Sequence, residues 1–244
     1  MDKMIYLAMT SAKHVELQQA TTANNLANIH TTGFKAELNA FRALPVVGDG
    51  APTRIYQVDN TVGHDLSQGA MQVTGNNFDF AIAGPGFFAV EAPNGGEAYT
   101  RDGGFMLDSA GVVRTRTGMA IASDGGQLVM PEGSLPDLRQ DGTLFAIPAN
   151  GGQPQEIGRL KLVNPAANEV YKGEDGLFRL NSGQDADADP VVKVRAGYLE
   201  GSNVNAVDSL VQMISHAKHY DLSVKLMQNA EQNGKQATQI LSVG

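Results

Sequence analysis

Few side chains in this sequence invite a chemical reading. His216 and His219 stand one helical turn apart with Asp221 just beyond, a spacing that suits a metal pair. No third ligand or Glu-bearing motif accompanies them, so packing on a helix face is the default. Asp185, Asp187 and Asp189 alternate like the start of a calcium loop. The sixth position of such a loop would be Pro190, where Gly is needed, and the twelfth Ala196, where Glu is needed. An acidic surface loop is the better reading. Gly84-Pro85-Gly86 lacks the Lys and Ser/Thr of a phosphate loop and reads as a tight turn before a strand.

A nucleophile with its base is equally hard to assemble. The chain has no Cys, no G-x-S-x-G and no His beside a Ser elbow, and its carboxylates follow no motif. We expect no catalytic residue, no metal and no cofactor, and no enzymatic activity. The lack of Cys excludes disulfides, thiol catalysis and Cys-bound zinc but fixes no compartment.

Helix breakers show what frame must carry the remaining residues. Of 244 residues, 28 are Gly and 10 are Pro. The first Gly is Gly33, only Gly234 and Gly244 follow Gly201, and every Pro lies between Pro45 and Pro190. Two ends nearly free of breakers flank a turn-rich middle. Residues 3–28 carry Met4, Leu7, Ala8, Ser11, Ala12, Val15, Gln19, Thr22, Ala23 and Leu26 at steps of three and four, which predicts a helix with a narrow stripe, stopped at Gly33. Residues 203–241 predict a longer helix, striped by Val207, Leu210, Val211, Ile214, Ala217, Tyr220, Val224, Met227, Ala230, Ala237, Ile240 and Leu241. Ser202, Asn203 or Asn205 can cap it, with Asp208 in the first turn.

Between the helices, short apolar runs recur at 78–82, 87–91, 105–107, 112–114, 119–122, 128–130, 144–147, 159–163, 177–180 and 191–195, separated by Gly, Asp and Asn turns. That spacing predicts antiparallel hairpins rather than βαβ units. The fold class is therefore α+β: a helix at 1–33, an extended connector with some β pairing at 34–74, an all-β body at 75–200 and a helix at 201–244. In the connector, Pro45, Gly48, Gly50 and Pro52 mark a loop and 54–58 a short strand. A helix of this length cannot bury its stripe on a small β body alone; its natural partners are the first helix and helices of other subunits.

The net charge is −8, but it is uneven: 1–35 carries +1, 202–244 is neutral, and the middle holds −9. The ends can pack beside copies of themselves with little repulsion, and no basic strip invites nucleic acid. The apolar run at 4–9 is too short for an ordinary signal peptide, and no segment reaches the roughly 18 apolar residues of a membrane span. Work outside the cytoplasm would need export without cleavage.

Ala23-Asn24-Asn25-Leu26-Ala27-Asn28 followed by Thr32-Gly33-Phe34-Lys35 resembles the N-terminal signature of the bacterial flagellar rod and hook proteins. Gly201-Ser202-Asn203-Val204-Asn205-Ala206-Val207 resembles the signature that opens their last helix. Residues 78–88 and Tyr99-Thr100-Arg101-Asp102-Gly103-Gly104-Phe105 look like the entry to their body domain. The opening run Met1–Tyr6, the tail and the length resemble the proximal-rod branch, although Ala217-Lys218-His219-Tyr220 departs from the family's Arg before the aromatic.

The resemblance implies a structural subunit of the basal-body rod in the periplasm. It implies export without cleavage through the flagellar type III apparatus, terminal helices forming a coiled-coil inner tube, and a body outside it. The partners implied are other rod proteins and copies of this chain, with no nucleic acid and no membrane insertion. Subunit contacts are then expected at Leu7, Val15, Asn24, Asn25, Leu26, Asn28, Gly33 and Phe34, and at Asn203, Val204, Asn205, Val207, Leu210, Ile214, Tyr220, Val224, Met227 and Leu241. A distal rod protein is the alternative within the family. A secreted surface- or carbohydrate-binding β module is the alternative outside it, and the absence of Trp counts against that.

Overall fold

The computed structural model describes residues 3–45, 55–93 and 95–242. The loop expected around Gly48, Gly50 and Pro52 lies outside them, as do the side chains of Met4, Ala237, Ile240 and Leu241 on the helical stripes. The chain forms two compact units. One draws on Met1–Asn28, Glu37–His64 and Val204–Gly244; the other on Ile29–Ala36 and Asp65–Asn203.

The first unit holds α1 (Lys3–Ala27), the hairpin β1 (Glu37–Pro45) and β2 (Ile55–His64), and α2 (Ala206–Ser242). Without Gly or Pro before Gly33, nothing interrupts α1. It ends where the Asn28 N–H bonds back to the carbonyls of Asn24 and Asn25, both at 3.2 Å. α2 opens on Asn205, whose Oδ1 accepts the N–H groups of Val207 at 3.0 Å and Asp208 at 3.4 Å. β1 and β2 pair antiparallel from Glu37↔His64 to Pro45↔Ile55, with a bulge between Leu38 and Ala40. The stretch read as a connector is thus largely this hairpin, whose first strand ends at Pro45. His14 of α1 meets Phe41 of β1 edge to face, ring centroids 5.4 Å apart.

The helices touch through small residues. Ala8, Ala12, Val15 and Thr22 are buried on α1. On α2 the covered positions begin Ala206, Ser209, Met213, His216 and resume at Ser223, Met227, Ala230 and Gly234. That is a rhythm of threes and fours. Ser223 Oγ lies 3.3 Å from Ser11 Oγ, so this is the face turned to α1.

The second unit is the β body. Its largest sheet runs in the order β12 (Leu162–Val163), β5 (Phe87–Glu91), β6 (Glu97–Thr100), β14 (Phe178–Leu180) and β13 (Val170–Lys172). A three-stranded sheet joins β11 (Gln155–Arg159), β10 (Thr143–Pro148) and β9 (Ser134–Leu138). Two-stranded pairs complete it: β15 (Lys193–Ala196) with β4 (Phe80–Ala83), β16 (Tyr198–Glu200) with β3 (Met71–Val73), and β7 (Phe105–Leu107) with β8 (Val113–Thr115). Every pairing among these strands is antiparallel. β5 is covered on both faces because its side chains alternate between two cores. Phe88 joins Phe80, Phe105, Leu144 and Leu162, whereas Phe87 and Ala89 join Tyr99, Val163 and Phe178.

Candidate functional site

Two features stand out, one in each unit. On α2, the residues facing away from the α1 seam are aliphatic and uncovered. Val207 is 67% exposed, Leu210 49%, Val211 61% and Ile214 58%. At about 100° per residue they lie across the helix from Ser209, His216 and Ser223. The expected single stripe is therefore two faces. Met227 sits half-buried in the seam and Val224 beside it, Val207, Leu210 and Ile214 remain exposed on the far side, and Tyr220 is exposed although it follows His216 by one turn. Apolar steps of three and four drift around a helix of 37 residues, which is why one list of spacings reads as one stripe. The seam receives mostly small residues, with Met213, His216 and Met227 among them, and the free face exposed aliphatic ones.

The second feature is where the chain enters and leaves the body. Lys35, Arg101 and Glu200 are buried together, with side chains 2% exposed or less. Lys35 Nζ donates to Glu200 Oε1 at 2.6 Å and to the Ser67 carbonyl at 2.5 Å. The Gly69 N–H donates to the same Oε1 at 2.9 Å. Arg101 Nη2 stands 2.9 Å from Glu200 Oε2, close enough for an ion pair but off the line of a hydrogen bond. The guanidinium instead donates to the carbonyls of Gly86 at 2.8 Å and Gly84 at 2.7 Å. Burial lowers the Lys35 ammonium below its usual 10.5, with the bond to Glu200 working against the shift. Burial lowers Arg101 as well, again opposed by Glu200.

Backbone contacts tighten this closure. The Gly33 N–H donates to the Glu200 carbonyl at 2.8 Å, and Gly33 adopts φ 68° with its α-carbon against the backbone of Arg101 and Asp102. Only Gly fits there, because a Cβ would collide with that backbone. Asn203 Oδ1 accepts the Ala36 N–H at 2.8 Å, and its Nδ2 donates to the Asp65 carbonyl at 2.8 Å and the Ser67 carbonyl at 3.2 Å. One amide thereby serves two backbone segments, at 36 and 65–67, which are also joined by the Asp65 N–H to the Ala36 carbonyl at 2.9 Å.

None of this geometry is a catalytic constellation. Among the described residues no group of three or more His, Asp and Glu could hold a metal ion, and no helix is long and apolar enough to cross a membrane. Asp185 accepts the N–H of Glu97, at the start of β6, at 3.3 Å, and Asp189 accepts that of Val191 at 2.8 Å, so both acids are engaged by backbone donors.

Three known families match in chain order: "Flagella basal body rod protein" over residues 5–35, "Flagellar hook protein FlgE/F/G D1 domain" over 81–151 and "Flagellar basal body rod FlgEFG protein C-terminal" over 195–240. The chain is 40% identical to the flagellar basal-body rod protein FlgF of Escherichia coli (strain K12), with the whole of both chains covered. It belongs to the flagellar basal-body rod proteins. FlgF of Caulobacter vibrioides is 32% identical over 99% of this chain and 98% of its own. The rod protein FlgG of Buchnera aphidicola subsp. Schizaphis graminum is 29% identical over 97% of this chain and 98% of its own. The rod protein described here is thus a structural subunit of the flagellar basal body.

The residues of the rod signatures, expected at subunit contacts, have different surroundings within the chain. Gly33 and Phe34 are buried inside the body, Phe34 under Lys172 Nζ at 4.1 Å from its ring centroid. Val15 is buried too, and Asn25, Asn28 and Asn203 are half-buried and bonded within their own units. Asn203 does not cap α2; that task falls to Asn205. Leu7, Leu26 and Val204 are half-buried, and Asn24 and Asn205 are exposed. The side chain of Leu241 lies outside the described residues. Sequence reasoning missed Lys35, Arg101 and Glu200 as a cluster. Their signal was position: Lys35 closes the first signature, Arg101 stands inside the body motif, and Glu200 directly precedes Gly201.

Proposed function

We propose that this chain is a proximal-rod subunit that polymerises through its terminal helices, α1 and α2 contributing to a shared coiled-coil tube with the β body outside it. The observation that carries this reading is the uncovered aliphatic face of α2 opposite the α1 seam. Leaving Val207, Leu210, Val211 and Ile214 in water forgoes roughly 1.5–3 kcal/mol for each one that could be buried. Helices of other rod proteins, or of further copies, would recover that energy. The seam within one chain is built of small residues and offers little of it, so the helix pair gains most of its stability on joining the rod.

Torque transmission then needs interlocked contacts and no catalytic group, and the chain is read as no enzyme. Assembly would take place in the periplasm, after export without cleavage through the flagellar type III apparatus. The residues assigned to subunit contacts are Val207, Leu210 and Ile214 on the free face of α2, together with Tyr220, exposed although its spacing puts it on the seam side, and Val224, Met227 and Leu241 later in the helix. Leu7, Asn24 and Leu26 are the candidates on α1. The relatives named FlgF at 40% and 32% identity, against 29% for FlgG, support the proximal rather than the distal position.

A deletion strain tests the assignment. Loss of swimming with assembly arrested before the hook, rescued by the intact gene but not by a copy lacking 205–244, is the expected outcome. Normal filaments and swimming after deletion would refute it.

A further inference from the structure

We propose that the Lys35–Glu200–Arg101 triad is a register lock, fixing the alignment in which β16, the last strand before the chain leaves the body, pairs with β3. The ladder between them is short: Tyr198↔Val73, Leu199↔Gln72 and Glu200↔Met71, with one backbone bond beyond each end, from the Gly201 N–H to the Ala70 carbonyl at 2.8 Å and from the Thr74 N–H to the Gly197 carbonyl at 3.0 Å. On β3, Gln72 and Val73 are exposed and Met71 is half-buried, so that strand has no buried face to dictate register. β16 contributes the buried Leu199 and the buried Glu200. Leu199 alone is a weak guide, because an apolar contact tolerates sliding.

The charges do not. In the observed register the Glu200 carboxylate receives Lys35 and the Gly69 N–H and faces Arg101. A slip of one residue turns Glu200 to the opposite face of the strand. A slip of two carries it about 6.6 Å along, out of ion-pair reach. Either way two cations stay buried without a counter-charge, which is far costlier than any contact the slip gains. The same triad replaced by apolar side chains would penalise neither slip. Stability is not the reason for the cluster, since buried ion pairs often do no better than apolar groups of equal volume.

The chain's lack of Cys allows a direct readout. Opposed residues of antiparallel strands stand about 4.5–5.5 Å apart at Cα, within disulfide reach, whereas positions two residues out of register do not. Full-length chains carrying Tyr198→Cys with Val73→Cys, or Tyr198→Cys with Met71→Cys, would be refolded under mild oxidation. With the native triad, only the first pair should cross-link. With Lys35→Met, Arg101→Met and Glu200→Leu together, the chain should fold and the second pair should cross-link as well, to a tenth of the first or more. If that variant does not fold, Glu200→Gln alone decides on the same readout. Cross-linking of the first pair alone in every folded variant overturns the proposal, as does cross-linking of the second pair with the triad intact.

Discussion

Asn25 holds Glu37 by both halves of its amide: Oδ1 accepts the Glu37 N–H at 2.8 Å and Nδ2 donates to the Glu37 carbonyl at 2.9 Å. The side chain near the end of α1 acts as a stand-in strand for the first residue of β1. Asn25→Ala removes both bonds and should cost about 1–3 kcal/mol. Asn25→Asp keeps the acceptor but sets a carboxylate against a carbonyl, and should cost at least as much. Amide exchange at Glu37 is the local check. Protection should fall in both variants while amides of the body sheet keep theirs; unchanged protection at Glu37 would show the bonds to be dispensable.

Gly33 and Gly75 have nearly the same backbone, φ 68° and 69°, but different surroundings. Gly33 abuts the backbone of Arg101 and Asp102, whereas a Cβ on Gly75 meets nothing within 4 Å. Gly75→Ala should therefore cost only the left-handed penalty, roughly 1–2 kcal/mol. Gly33→Ala adds a clash with backbone and should cost about 3 kcal/mol or more. Urea unfolding of the two variants isolates the close-approach contribution as their difference.

The buried triad has two cations and one anion, so its members are unequal. Glu200→Gln leaves both cations unpaired and should cost about 3–5 kcal/mol. Lys35→Met leaves Arg101 paired with Glu200 and the Ser67 carbonyl still bonded to Asn203, and should cost less, about 1–3 kcal/mol. Denaturant midpoints that rank Lys35→Met as the more damaging would contradict this assignment of roles.

How much of this was legible in the sequence follows from distance along the chain. The helices announced themselves because their signals are local: periodic apolar steps, capping candidates at Ser202, Asn203 and Asn205, and no Gly until Gly33. Strands such as β5 and β7 showed through their aromatic runs. β9 was missed because Pro136 interrupts it, and β3 and β16 because Gln72 and Glu200 leave no continuous apolar run in either. The triad joins Lys35 to a carboxylate 165 residues away. Nothing in local spacing encodes such a pairing. The two faces of α2 were merged for a related reason, since steps of three and four do not say which side a neighbouring helix covers.

His216 lies on the α1-facing side of α2 and titrates below its usual 6.5, chiefly through burial, with His219 adding repulsion. The folded chain then resists a proton that the unfolded chain accepts. Its contribution costs stability as pH falls from 6.5 through the lowered value, and costs nothing above 6.5. His216→Gln should flatten that part of the stability–pH curve relative to the parent. Parallel curves for parent and variant below 6.5 would remove His216 from the account.

If the free face of α2 is an assembly surface, Leu210→Glu with Ile214→Glu should abolish assembly without unfolding the chain. Both positions are exposed in the single chain, so the purified variant should match the parent in circular dichroism and unfold within about 0.5 kcal/mol per site. In a deletion strain the same variant should fail to restore the rod and leave cells non-motile. Swimming restored to the parent's level by that folded variant would contradict the claim.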